Sequence, residues 1–114
     1  MGVSTKSKRK ITVDSQNYVW CVRPDGDSPF DVLEILSGDK SLVLCCPLKT
    51  GTGYLISKGR VFQARQTGGR WQRYLLPFRV PETITPKFVS EVILWASRAG
   101  RAAPAEWDGA AIPV

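Results

Sequence analysis

The chain is 114 residues long, 43% hydrophobic and 23% charged, with 16 Lys and Arg against 10 Asp and Glu for a formal net charge of +6. That length builds one hydrophobic core and not two, and no apolar run approaches the roughly 18 residues that a membrane-crossing helix requires. The sequence has no histidine, which removes the commonest general base and the usual partner of a serine or cysteine nucleophile.

Residues 1–9 are small, polar and basic, and read as a disordered tail. No apolar signal core follows them, and Lys6 stands where a myristoylation motif wants Ser or Thr. From Lys10 the pattern turns to period two. Ile11 and Val13 flank Thr12, Asp14-Ser15-Gln16-Asn17 supplies turn residues, and Tyr18, Trp20 and Val22 share one face of a second strand. Pro24 to Pro29 is a loop on composition. Asp31 to Leu36 reads as a strand rather than a helical turn, because Ser37-Gly38-Asp39-Lys40 is a turn and Ser41 to Cys46 is plainly another strand. That last run is apolar on both faces, as in a central strand, and Pro47 closes it.

Thr50-Gly51-Thr52-Gly53 is a flexible turn. With Lys49 it has a superficial likeness to a phosphate loop, but it lacks the terminal Gly-Lys-Ser/Thr and no helix follows it. Tyr54-Leu55-Ile56 and Val61 to Ala64 flank Ser57-Lys58-Gly59-Arg60, which reads as a hairpin with glycine at its tip. After a turn at Thr67 to Arg70, a last strand runs from Trp71 and is cut short by Pro77.

The one strong helix signal is Ile84 to Arg101. Thr85 is an N-cap type and Pro86 occupies the first helical position, where its missing N–H costs nothing. Phe88, Val89, Val92, Ile93, Trp95, Ala96 and Ala99 fall in one arc, with Leu94 stranded on the polar side. Gly100 is expected to end the helix in the left-handed conformation, with Arg98 and Arg101 bringing charge to its negative end. The expected architecture is therefore α+β: a single domain over residues 10–101, an antiparallel meander of five or six strands with one C-terminal helix packed across one face. Residues 102–114 are an irregular tail whose Trp107, Ile112 and Val114 want burial. The expected core is Ile11, Val13, Tyr18, Trp20, Leu33, Val43, Leu44, Leu55, Phe62, Phe88, Val92, Ile93 and Trp95.

Cys21, Cys45 and Cys46 are an odd number with one adjacent pair, which is no disulfide framework and no Cys-x-x-Cys. They read as buried, reduced thiols in a cytoplasmic protein. A metal or other cofactor is not expected. Asp25/Asp27 and Asp31/Glu34 read as solvated loop and strand-edge charges, so no catalytic residue is assigned and no enzyme is expected.

Charge is distributed unevenly. Lys6, Lys8, Arg9 and Lys10 crowd the first ten residues, and Ile11 to Asp39 holds six acids against Arg23 alone. From Lys58 to Arg79 there are six basic residues and no acid, interleaved with Phe62, Trp71, Tyr74 and Phe78. Two hairpin strands would put Arg60, Gln63 or Arg65 near Arg70, Gln72 and Arg73 on one solvent face. Arg60, Arg65, Arg70, Trp71, Arg73 and Tyr74 are the candidate partner-binding set, against a merely solvated face whose aromatics point inward. The favoured function is a non-enzymatic module that binds a macromolecule, a protein first of all, of the adaptor, immunity or accessory type. The alternative is RNA or single-stranded DNA, since cation plus aromatic is the chemistry of single-strand binding. No membrane partner is expected.

Ile11-Thr12-Val13-Asp14, Tyr18-x-Trp20, and Ile84-Thr85-Pro86 opening a helix through Leu94-Trp95-Ala96 together resemble a group of small bacterial proteins. That group has an early Tyr-x-Trp strand, a late Ile-Thr-Pro helix and no known activity. The resemblance implies a shared fold and a bacterial cytoplasmic setting, and transfers no functional residue. Arg101 follows Gly100 here, where the group often has tryptophan.

Overall fold

The structure is a computed structural model that describes residues 8–24, 31–48, 53–102 and 104–105. The loop expected at 25–29, the glycine turn at 50–52, the tail residues 1–7 and Trp107, Ile112 and Val114 lie outside the described residues. Among the described residues eight strands and one helix follow in order: β1 (Arg9–Val13), β2 (Gln16–Pro24), β3 (Asp31–Ser37), β4 (Val43–Pro47), β5 (Tyr54–Ser57), β6 (Val61–Phe62), β7 (Arg65–Gln66), β8 (Gln72–Leu75) and α1 (Pro86–Ser97). Six of the strands form an antiparallel sheet in the order β1-β2-β3-β4-β5-β8, while β6 and β7 pair separately. The α+β meander with one C-terminal helix is thus the observed architecture.

The register explains the alternation. Tyr18 lies opposite Ile11 and Ser37, Trp20 opposite Ile35, Leu33 opposite Cys46, and Leu44 opposite Ser57. These positions share one face, and Tyr18, Trp20, Leu33, Ile35, Leu44, Cys46 and Leu55 join Phe88, Val89, Val92, Ile93 and Ala96 of the helix in one core. Burying that many apolar side chains at roughly 1.5–3 kcal/mol each supplies the main drive for folding. Ile11 and Trp95 are half-buried against this core. Val43 is not a core residue: pairing with Leu36 turns it to the opposite face, and Leu42 is buried in its place. Val22 shares the Tyr18 face but is 38% exposed at the sheet margin.

The expected four-residue turn after Val13 is tighter. Val13 pairs directly with Gln16, leaving Asp14 and Ser15 as a two-residue loop with φ of 50° and 63°. Positive φ at both central positions marks a type I′ turn, whose twist matches that of the strands it joins.

The helix begins as the sequence predicts. Thr85 is extended, and its hydroxyl accepts from the Phe88 N–H at 3.2 Å, with Pro86 in the first turn. Its end differs. Arg98 is the extended C-cap, its N–H donating to the Leu94 carbonyl at 3.1 Å, and Gly100 has no left-handed φ. Leu94 is half-buried against the core rather than stranded in solvent.

The expected hairpin through Ser57 to Arg60 is not formed. Beyond β5 the chain keeps pairing with the start of β4 and the residues before it: Lys58 N–H donates to the Val43 carbonyl, and Arg60 N–H to that of Ser41 at 2.8 Å. A Cβ on Gly59 would stand 2.2 Å from the Ser41 carbonyl oxygen, so this glycine serves close backbone approach and not a turn. The true hairpin comes later, with Phe62 opposite Arg65 and Gln63–Ala64 as its loop. At the far side of the sheet, Pro104 and Ala105 lie against β8, the Ala105 N–H donating to the Arg73 carbonyl at 2.9 Å.

Candidate functional site

One buried side chain ties three segments together. Gln63 sits at the first position of the β6–β7 turn, 4% exposed, with φ 50°. Its backbone N–H donates to the Ala96 carbonyl at 2.7 Å and its Nε2 to the Trp95 carbonyl at 3.2 Å. Its Oε1 accepts from the Ala102 N–H at 3.0 Å. The last carbonyls of a helix have no partner within it, and here a residue from another element supplies two. Gly100 lies against the same side chain: a Cβ there would stand 3.2 Å from Nε2. The glycine that the sequence suggests as a left-handed helix stop instead lets the Gln63 amide pack closely, and a Cβ there would press on it by a few tenths of an ångström.

This knot forms the base of a cavity of about 410 Å³ lined by Phe62, Gln63, Arg65, Gln66, Thr67, Arg70, Gln72, Tyr74 and Gly100–Ala102. Its apolar wall is a parallel stack of Phe62 on Tyr74, centroids 4.3 Å apart and planes within 5°. Trp95 meets Phe62 edge-on at 5.4 Å, so the stack is continuous with the helix. Burial pushes the Tyr74 phenol up, and the Arg65 guanidinium nearby acts in the opposite sense. Arg65, Arg70 and Arg101 belong to the lining, and no Asp or Glu does among the described residues. None of the three forms an ion pair among those residues either.

The six candidate partner-binding residues separate. Arg65, Arg70 and Tyr74 meet in this cavity. Arg60 is exposed in a neighbouring depression with Ser41, Val61, Gln66 and Gly68, because the missing hairpin leaves it paired to the β4 side. Arg73 lies on the opposite face of the sheet, since its neighbours Gln72 and Tyr74 occupy the cavity side and strand residues alternate. Trp71 is 65% exposed with the Lys58 ammonium 4.2 Å from its ring centroid, outside the cavity lining. Phe78 packs edge-on against Phe88 and Trp95. Two residues escape the sequence reading. Gln63 is expected on the solvent face of the hairpin and is buried instead, and Arg101 is expected only as a helix-end charge; neither carries a local signal of the contact it makes.

The sheet face away from the helix carries a different set. Arg23 and Glu34 pair at 2.7 Å, and the Cys45 thiol approaches the same carboxylate at 4.0 Å. All three cysteines are free and buried. Burial pushes Cys21 and Cys45 up and Cys46 to about 12, so none is activated as a thiolate. Asp31 is exposed, and Asp25 and Asp27 lie outside the described residues.

Comparison with protein-family models, curated proteins and solved structures finds no match to this chain.

Proposed function

We propose that this protein is a non-enzymatic binding module that docks an acidic segment of a protein partner in the cavity between the β6–β7 hairpin and residues 100–102. One observation carries the reading: Arg65, Arg70 and Arg101 surround a single concavity with no carboxylate among its described lining residues. Arginine clusters recognise acidic motifs by forked, charge-assisted hydrogen bonds. The base of the site is set by Gln63, so its two walls need no ordering on binding. The non-enzymatic part rests on a sequence without histidine and on thiols that burial holds protonated. Reduced, buried cysteines suit the cytoplasm, and no helix among the described residues is long and apolar enough to cross a membrane.

Fluorescence anisotropy with a labelled poly-glutamate peptide tests it. Changing Arg65, Arg70 and Arg101 together to Glu is expected to weaken binding by about 100-fold, against little change for Arg60→Glu. Equal losses from both variants would reduce the effect to net charge and end the proposal.

A second reading, single-stranded nucleic acid, draws on Trp71, an exposed ring beside Arg70. A stacking track wants several free rings, and Phe62, Tyr74 and Phe78 are engaged with one another or with the helix. The protein reading therefore stands first. Tight, salt-sensitive binding of a mixed oligonucleotide that Trp71→Ala abolishes would reverse that order.

A further inference from the structure

We infer that the arginine cavity is a phosphate-monoester site, and that the docked segment presents a phosphorylated side chain to it; this rests on the protein-partner reading above. The first ground is charge and oxygen count. A carboxylate brings one negative charge and two oxygens, whereas a phosphate monoester brings nearly two charges and three terminal oxygens. Arg65, Arg70 and Arg101 line one space, and three guanidinium forks are a set that a single carboxylate leaves partly unmatched.

The second ground is what the neutral lining has left to offer. The Gln72 Oε1 accepts from the Tyr74 hydroxyl, and the Gln63 Oε1 accepts from the Ala102 N–H at 3.0 Å. The Thr67 hydroxyl donates to the Gly59 carbonyl at 2.7 Å, outside the cavity. Each of these two glutamine oxygens thus has one lone pair engaged, the Gln72 amide keeps its N–H groups to give, and the Tyr74 and Thr67 hydroxyls have spent their protons within the protein. The donors this wall has left include those of its three arginines and the Gln72 amide. A phosphate dianion offers acceptors only, so it is the complement of such a wall.

The third ground is room. About 410 Å³ exceeds what a phosphate group alone fills, and the apolar Phe62–Tyr74 stack beside the arginines gives the carrying residue a surface to lie on. The same chemistry could reach the cavity on a small phosphorylated molecule, and the titrants below separate the two sources.

The test follows the arginine Nε–H resonances of the ¹⁵N-labelled full chain during titration with four compounds. These are N-acetyl-O-phosphoserine methylamide, N-acetyl-glutamate methylamide, adenosine 5′-monophosphate and inorganic phosphate. The phosphoserine compound is expected to shift Arg65, Arg70 and Arg101 saturably and about tenfold more tightly than the glutamate compound, leaving Arg23 and Arg98 in place. Arg70→Gln should weaken it about tenfold, and Arg60→Gln not at all. If the glutamate compound binds equally well at the same arginines, the phosphate preference is wrong and acidic-segment docking survives. If the nucleotide or free phosphate binds more tightly than the phosphoserine compound, the carrier is not a protein side chain. Silence of all three arginines toward every titrant overturns this inference and the docking reading together.

Discussion

The two-residue turns Asp14–Ser15 and Gln63–Ala64 share a backbone, with φ of 50° and 63° in each, and both reach the C-terminal end of α1. They reach it differently. Asp14 is exposed and meets Arg98 at 3.4 Å across open surface. Gln63 is buried and meets the helix through its main chain and its side-chain Nε2, while its Oε1 holds the Ala102 N–H beyond the helix end. An exposed ion pair is worth about 0–1 kcal/mol because water solvates either partner once the other is gone. A buried amide leaves unsatisfied groups behind when it is removed, at about 1–3 kcal/mol apiece. Identical turn geometry thus says nothing about what a turn is worth; that is decided by where its first side chain points.

The largest expected effect sharpens this contrast. Gln63→Ala strands the Trp95 carbonyl and the Ala102 N–H and is expected to cost about 2–4 kcal/mol, against under about 1 kcal/mol for Asp14→Ala, measured by urea unfolding. Equal costs would break the comparison. Next comes a swap on which the two turns should agree. Left-handed backbone is strained at Ser15 and Ala64, so Ser15→Gly and Ala64→Gly are each expected to stabilise by about 0.5–1 kcal/mol. A gain at one turn alone would mean that their backbones differ.

The smallest effect lies in a third tight turn, Ser37 to Ser41. Asp39 accepts from the Ser41 N–H at 3.0 Å and from the hydroxyls of Ser41 and Ser37, each at 2.7 Å. The backbone bond first, then the hydroxyls, hold its carboxyl down from 3.8 to about 2. A carboxylate depressed on folding stabilises the protein above its ordinary pKa, and that contribution disappears as the pH falls from 3.8 toward 2. Asp39→Asn should flatten the loss of stability in that window, read from urea midpoints at successive pH values. An unchanged slope would remove the turn from the acid response.

Much of the sheet was legible because its information is local. Alternation across Tyr18 and Trp20, the double-faced apolar run ending at Cys46 and the Thr85-Pro86 start each state a period or a cap that the backbone obeys. The cavity was not, because it is assembled by contacts far apart in the chain. Gly59 looked like a hairpin tip and instead makes room for the Ser41 carbonyl. Gln63–Ala64 contains none of the Gly, Asn or Asp residues that announce a type I′ turn, so the real hairpin was invisible. Once the hairpin moved, Arg60 left the site and Arg101 entered it. Arg73 was lost to simple alternation, which the sequence does display, between Gln72 and Tyr74.

The Pro104–Ala105 contact on β8 bears on how this sheet meets other molecules. Strands with open sides recruit further strands, in the extreme as fibrils. On the β8 side, the Arg73 carbonyl is already taken by Ala105, and Pro104 has no N–H to extend the ladder. Lateral growth is thereby blunted at one flank. At the other flank Arg9 and Lys10 of β1 bring like charges together whenever two copies approach side by side, so the molecule guards one margin with geometry and the other with repulsion.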